Sequence, residues 1–445
     1  MLENFLQTFA NIFRVGELRK RILYTVGMVL VYRIGGHIPT PGIDAKVLAD
    51  FFAQSSNTLF GMWDMFVGGS LYKATIFALG IMPYISASII IQLLGTVFPY
   101  FHKLQREGGE GRKKLTQYTR YGTVILSVFQ AVAIAIWLQS ITSPSTGAPA
   151  VLPWISGITF MIITVISLTT GTIFTMWMGE RITSSGVGNG ISFIIFIGIV
   201  ASIPDAVIGE VQQVIGGTRH PMISLVILAV IVGMVATVVF MYQAIRRIPI
   251  QTPKKVVGTK MYAGQNTVLP LRLLMAGVIP MIFASSLMFF PNMFASFFPG
   301  NEVVESINNL FRPGHAVYSI CYGLLIIFFT YFYTAIIFNP IDIADNLKRS
   351  GGFIPGIRPG KKTAEYLDNV LTRITLPASI FLALISIVPF LFIGSFNLSF
   401  YFGGTSILIV IGVALDTLQQ LESHLQTHNY EGFLKKGRLR GRRGY

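Results

Sequence analysis

The stretch Phe51-Phe-Ala-Gln-Ser-Ser-Asn-Thr-Leu-Phe60-Gly-Met-Trp-Asp-Met-Phe-Val-Gly-Gly-Ser70-Leu-Tyr72 decides how the whole chain is read. It is long enough to cross a bilayer, which takes about 20 helical residues at about 1.5 Å rise each. It also carries Gln54, Ser55, Ser56, Asn57, Asp64, Gly68 and Gly69, which suit a lipid-facing helix badly. Counted as a span it gives eleven crossings, and left out it gives ten. The choice sets the side of the membrane that every later loop faces.

Outward from this segment the apolar runs are unambiguous. Upstream lies Ile22 to Ile38, read as a retained span because it has no small-residue cleavage site behind it. Downstream lie Ala74 to Phe101, Tyr121 to Gly179, Ile182 to Pro204, His220 to Ile245, Leu273 to Asn301, Pro313 to Ile341 and Ile374 to Leu415. Two of these are too long for one crossing. Each has turn residues in its middle, Ser143-Pro-Ser-Thr-Gly-Ala-Pro149 and Gly394-Ser-Phe-Asn397, so each is two spans. The sum is ten.

Positive charge settles the ambiguous piece. With ten spans and both termini inside, the inside segments hold 29 Lys and Arg residues and the outside loops only Lys46, Lys73, Arg219 and Arg312, with Arg33 near the end of the first helix. Such a split follows the positive-inside rule, and an eleventh span would destroy it. Phe51 to Tyr72 is therefore a re-entrant or externally folded segment, tolerated where protein or a water-filled cavity shelters its backbone. Ten helices divide into two sets of five, and an odd number per set lets the halves be related only by inversion. The expected organisation is a first half over 1–204, a hinge loop over 205–221 with Gly209, Gly216 and Gly217, a second half over 222–420 and a basic tail over 421–445.

Composition supports a membrane chain and excludes several functions. Of 445 residues 52% are hydrophobic and 12% charged, with a mean hydropathy of +0.64, where a soluble surface needs about twice that charge. The net charge of +15 sits in clusters between apolar runs, as a membrane topology places it. Cys321 is the single cysteine and lies in an apolar run, so it is read as a buried structural thiol with no disulfide or Cys-based metal site. Gly108-Gly-Glu-Gly-Arg-Lys113 and Gly356-Ile-Arg-Pro-Gly-Lys361 lack the spacing of a phosphate loop and read as turns. No HExxH pair and no ladder of intramembrane carboxylates is present, and Asp416 at the end of the last span fits a snorkelling or capping role better than a relay role. No catalytic residue, metal or cofactor is expected.

Glycine, proline and hydroxyl residues concentrate in Leu79-Gly-Ile-Met-Pro-Tyr-Ile-Ser-Ala-Ser88 with Gln92, in Gly186-Val-Gly-Asn-Gly-Ile-Ser192 and in Ala276-Gly-Val-Ile-Pro-Met-Ile-Phe-Ala-Ser-Ser286. Small residues allow close helix packing. The alternative is that these helices line a cavity or part from one another, since polar groups are costly against lipid and comfortable beside water. The basic loops 244–272 and 339–373 are large enough to dock a partner. On these grounds a channel, an uncharged-solute transporter and an assembly subunit without a pore all remain open.

Over nearly its whole length the sequence resembles the SecY family of bacterial protein-conducting channels. The matching stretches include Tyr32-Arg-Ile-Gly-Gly-His-Ile-Pro-Thr-Pro-Gly-Ile-Asp44, Ile76-Phe-Ala-Leu-Gly-Ile-Met-Pro-Tyr-Ile-Ser-Ala-Ser-Ile-Ile90, Gln117-Tyr-Thr-Arg-Tyr-Gly122, Gly188-Asn-Gly-Ile-Ser192, Ala276-Gly-Val-Ile-Pro280, Phe338-Asn-Pro340, Ala344-Asp-Asn-Leu-Lys348, Gly356-Ile-Arg-Pro-Gly360 and Tyr401-Phe-Gly-Gly-Thr-Ser406, in order and register.

The resemblance implies an all-α membrane protein of ten transmembrane helices in two inverted halves, clamping a constriction and opening sideways between the second and seventh helices. It implies a pore ring of Ile81, Ile85, Ile191, Ile195, Ile279 and Ile409. A narrow aliphatic ring blocks ions by dewetting and offers a passing chain no fixed partner. It implies a plug over 59–71 with Phe60, Trp63, Met65 and Phe66 beneath the ring and Gly68-Gly69 letting the segment swing. Ser86, Gln92, Asn189, Ser285 and Ser286 are candidates for the gate lining, and Lys254, Lys255 and Arg358 for docking a motor or ribosome. The implied partners are SecE-like and SecG-like small subunits, the SecA motor ATPase, the ribosome, signal sequences, translocating polypeptides and membrane lipid. The implied location is the bacterial inner membrane, with both termini cytoplasmic.

Overall fold

The computed structural model describes residues 15–54, 59–143, 147–155, 157–251, 255–257, 260–262, 266–295, 297, 304, 306, 310–311, 315–396 and 404–436. The helices, in chain order, are α1 (Gly16–Gly35), α2 (Ala45–Gln54), α3 (Leu59–Val67), α4 (Met82–Val97), α5 (Pro99–Arg106), α6 (Gly109–Ser140), α7 (Ile158–Ser185), α8 (Gly190–Ile215), α9 (Pro221–Gln243), α10 (Ile279–Ala295), α11 (Ala316–Ile337), α12 (Pro340–Arg349), α13 (Lys361–Phe396) and α14 (Gly404–Lys436). Between α9 and α10 lie the strands β1 (Ile245–Gln251), β2 (Lys255–Val257), β3 (Lys260–Tyr262) and β4 (Asn266–Arg272).

Among the described residues seven helices are long and apolar enough to cross a membrane, or eight if α4 and α5, bent by 102°, count as one broken span. The bend falls at Pro99, whose ring forbids continuation of the helix and disfavours helical geometry in the residue before it. Helices α1 and α10 occupy the two remaining expected span positions, so the fold is an all-α membrane fold with ten helices at the sequence-predicted places. Leu225, Leu228, Val232 and Phe240 on α9 are all exposed, which is the disposition of a helix whose solvent is lipid. Local chemistry starts the helices. The His220 ring accepts from the Met222 N–H and precedes Pro221, His315 caps α11 at Val317, and Asn339 caps α12 at Ile341 ahead of Pro340.

The chain packs as two compact units, one of Met1–Ser56, Phe60–Asp205 and Gly412–Tyr445, the other of Asn57–Leu59 and Ala206–Ile411. The connection expected to be loop from Asp205 onward is helical to Ile215 and turns only at Gly216-Gly217, with Gly217 at φ +72°. Glu210 explains why: its carboxylate accepts both hydrogen bonds from the Arg219 guanidinium (2.9 and 2.7 Å) and one from Ser224 Oγ (2.6 Å), tying the end of α8 to the start of α9. In the first unit a core of Tyr32, Phe77, Met178, Ile182 and Ile194 joins α1, the chain before α4, α7 and α8. Cys321 is half-buried.

The described residues of loop 244–272, read from sequence only as hydrophilic, form two antiparallel strand pairs, of which β1 with β4 is the ribbon at its base. Strands β1 and β4 pair antiparallel from Ile245 opposite Arg272 to Gln251 opposite Asn266, and β2 pairs with β3. Inward-facing Ile248 and Ile250 alternate with exposed residues, the period of a strand with one buried face.

Candidate functional site

In the first unit the chain leaves α1, forms α2 and the short α3, then returns to the start of α4. The plug positions lie on α3 and its return. Trp63, Met65 and Phe66 are buried; Phe60 belongs to the same helix, but its side chain lies outside the described residues. Gly68 and Gly69 take φ +70° and +82°, values that only glycine adopts readily. Gly198 of α8 provides the seat, since a Cβ there would fall 2.5 Å from the Phe66 carbonyl oxygen. Tyr32 of α1 donates its hydroxyl to the Val67 carbonyl, and Arg33 donates to the Gly68 carbonyl, both at 3.2 Å. Asp64 Oδ1 accepts the backbone N–H groups of Leu71 and Tyr72, each at 2.8 Å. Burial pushes the Asp64 carboxyl up to about 6, while the Tyr72 and Leu71 N–H groups and the Lys73 charge pull it down.

The sequence assigns no site role to Asp64, Tyr32 or Arg33. Their contacts are side chain to backbone across several residues and leave no periodic trace. The available signal was a lone carboxylate just before a Gly-Gly turn, where free N–H groups need acceptors.

The six isoleucines divide between the units. In the first unit Ile81, Ile85 and Ile195 are buried, with Ile81 as the residue before α4 and its carbonyl accepting the Ile85 N–H at 3.1 Å. Ile191 is half-buried, and a Cβ placed on Gly179 of α7 would lie 3.2 Å from its Cγ1. In the second unit Ile409 is fully buried in α14 and Ile279, the first residue of α10, is half-buried.

Three of the five polar gate candidates bond within their own elements, and the Gln92 Oε1 is buried without a partner among the described residues. Asn189 Oδ1 accepts from the Ile191 N–H (3.1 Å), so this side chain caps α8. Gln92 donates to Ser88 Oγ at 3.1 Å, and Ser285 donates to the Met281 carbonyl of its own helix at 2.9 Å. Ser86 and Ser286 are buried.

Of the docking candidates, Lys254 lies outside the described residues, Lys255 opens β2 opposite Tyr262 with its side chain undescribed, and Arg358 is exposed. Arg358 sits between Gly356 (φ +82°) and Gly360 (φ +97°), with its carbonyl accepting from Thr363 Oγ1. The ribbon and this loop share one base: Gln251 and Phe353 exchange both backbone hydrogen bonds at 2.9 Å, over a core of Ile248, Leu271, Ile354, Leu367 and Leu371. A sequence reading that treats the two basic loops separately misses this platform.

The SecY family model matches residues 75–418. The chain belongs to the SecY family. Among SecY relatives, the protein translocase subunit SecY of Haemophilus influenzae is 46% identical over 432 residues, covering 96% of each chain. Two solved structures share the fold. One is a SecY protein whose plug domain is described as stabilising the closed state of the translocation channel and maintaining a membrane seal (TM-score 0.64, 18% identity, 91% of this chain and 92% of that one). The other is Sec61 in the canine ribosome-channel complex from the endoplasmic reticulum (TM-score 0.61, 17% identity, 91% and 92% covered).

Proposed function

We propose that this SecY-family chain is the channel subunit of a bacterial protein translocase, passing unfolded secretory polypeptides across the membrane and releasing signal sequences and transmembrane helices sideways into lipid. It is a channel and not an enzyme. The observation that carries the reading is α3, a short apolar helix that cannot span a bilayer, with Trp63, Met65 and Phe66 buried, in a chain of the family whose plug seals the channel.

In this reading Ile81, Ile85, Ile191, Ile195, Ile279 and Ile409 form the constriction. Ser86, Gln92, Asn189, Ser285 and Ser286 belong to the gate helices α4, α8 and α10 or their caps. The halves are those expected over 1–204 and 222–420. An apolar signal core of about ten residues gains roughly 0.3–0.6 kcal/mol each at the bilayer centre, or roughly 3–6 kcal/mol in all, enough to bias a lateral gate. Sustained export draws energy from a partner, a SecA motor or a ribosome, docked through Lys254, Lys255 and Arg358. SecE-like and SecG-like subunits complete the complex. The charge distribution supports an inner-membrane protein with both termini cytoplasmic.

The test is site-specific photo-cross-linking to a secretory chain stalled in transit through the reconstituted translocase. Probes at Ile85, Ile195 and Ile409 cross-link the chain, and probes at the lipid-exposed Leu225 and Leu228 do not. Equal labelling at both sets removes the pore assignment.

A further inference from the structure

The end of the plug helix is held by more polar contacts than helix termination requires. Gly68 N–H on the Met65 carbonyl (3.2 Å) and Gly69 N–H on the Asp64 carbonyl (2.9 Å) already close α3. Beyond them, Asp64 Oδ1 takes the Leu71 and Tyr72 N–H groups. Ser70 Oγ (3.0 Å) and the Tyr32 hydroxyl both donate to the Val67 carbonyl, and Arg33 Nη1 to that of Gly68. The return is fastened onward, by Thr75 N–H on the Ser70 carbonyl (2.9 Å), Ile76 N–H on Ile38 (3.1 Å) and Thr40 N–H on Ala74 (2.9 Å). A glycine pair that would let the segment swing is bonded on both flanks.

Two of these donors cannot follow a departing plug. Tyr32 is buried in the core of the first unit with its ring stacked on Phe77 at 5.7 Å, and Arg33 is fixed to the same helix. Movement of α3 therefore breaks their bonds to Val67 and Gly68. Asp64 holds the return turn to α3 through the Leu71 and Tyr72 amides. These bonds favour the arrangement seen in this structure, and water replaces them when α3 leaves it, which is the condition for shifting a two-state population.

We propose that Asp64, with Tyr32 and Arg33, is the latch of the closed plug, Asp64 being the positioning residue that ties the plug helix to its return segment. The proposal rests on reading 59–71 as the plug. Opening is then release of a polar clasp at the base of the helix, and the strength of the clasp sets how readily a weak signal sequence opens the channel.

The experiment uses the complete translocase in planar bilayers and vesicles, with Asp64→Ala, Asp64→Asn, Tyr32→Phe and a deletion of 59–71 as the control. Asp64→Ala is expected to raise resting ion conductance by about tenfold and to increase export of a precursor with a defective signal sequence several-fold, at an unchanged thermal midpoint. Asp64→Asn keeps the Oδ1 acceptor and recovers most of the seal, and Tyr32→Phe gives a smaller leak. An ion-tight, selective Asp64→Ala beside a leaking deletion overturns the latch. So does a leak that Asp64→Asn leaves uncorrected together with a lowered thermal midpoint, which marks a merely structural residue. A deletion that stays ion-tight and selective overturns the plug reading itself.

Discussion

Helices α4 and α10 begin with the same device and are fed by segments fastened in different ways. Gly80-Ile-Met-Pro83 and Gly277-Val-Ile-Pro280 each set a left-handed glycine, φ +56° and +59°, three residues before a proline in the first helical turn. Upstream of α4 the plug buries apolar side chains, but its turn from Val67 to Tyr72 is held by hydrogen bonds that Tyr32, Arg33 and Ser70 donate and that Asp64 accepts. Upstream of α10 the ribbon rests on the apolar core of Ile248, Leu271, Ile354, Leu367 and Leu371. A hydrogen bond contributes only about 0.5–1.5 kcal/mol net when neutral and about 1.5–3 kcal/mol when one partner is charged, as at Asp64 and Arg33, because water can take its place. A buried aliphatic side chain has no such substitute. The comparison teaches that the plug is fastened by contacts suited to exchange and the ribbon by contacts suited to permanence.

The contrast can be broken from its stronger side first. Leu367 is 0% exposed at the base of the ribbon, so Leu367→Ala should cost about 2–5 kcal/mol. Limited proteolysis should then cut the ribbon while α3 stays protected. Loss of protection at both places would show that the two fastenings are not independent.

The shared device gives a smaller effect. Alanine at Gly80 or Gly277 should cost about 1–2 kcal/mol in the left-handed region. Gly80→Ala carries a steric addition, since its Cβ would lie 3.1 Å from Val67. Combining Gly80→Ala with Val67→Ala should not recover the Gly80 backbone strain, and thermal unfolding of each variant separates the two contributions. A Gly277→Ala protein as stable as the parent would end the equivalence of the two helix starts.

The smallest change runs the other way. Ala74, at φ +42°, is the one non-glycine residue with positive φ among the described residues. Ala74→Gly should stabilise the first unit by up to about 1 kcal/mol, strain relief exceeding the added chain entropy. A lowered thermal midpoint would mean that the alanine is not strained there.

Much of this was legible in the sequence, because lipid imposes its own period. The apolar runs gave every span position, and charge parity removed Phe51 to Tyr72 from the count of spans, where the chain leaves helix after Val67 and turns at Gly68-Gly69. What escaped was carried by contacts rather than by periodicity. The ribbon hides in Ile245-Arg-Arg-Ile-Pro-Ile-Gln251, whose alternation is short and interrupted by two arginines. Asp205 after Pro204 reads as a helix stop, yet the helix runs on because Glu210 finds Arg219 and Ser224 beyond the turn. Asn189, a gate candidate by sequence, also caps α8, a role that its sequence context did not announce. The Gly-x-x-Pro pair is visible in the sequence at Gly80 and Gly277, but four residues carry too little identity to announce a repeat.

The central claim, that the isoleucine positions close a protein-conducting pore, is tested most directly by conductance. Ile81, Ile85, Ile191, Ile195, Ile279 and Ile409 are replaced together by asparagine in the complete translocase, and single-channel current in planar bilayers is recorded beside the thermal midpoint. A wetted constriction leaks ions at rest and passes precursors with defective signal sequences while the protein remains folded. A folded multiple variant that stays ion-tight would contradict the account and leave these isoleucines as helix packing.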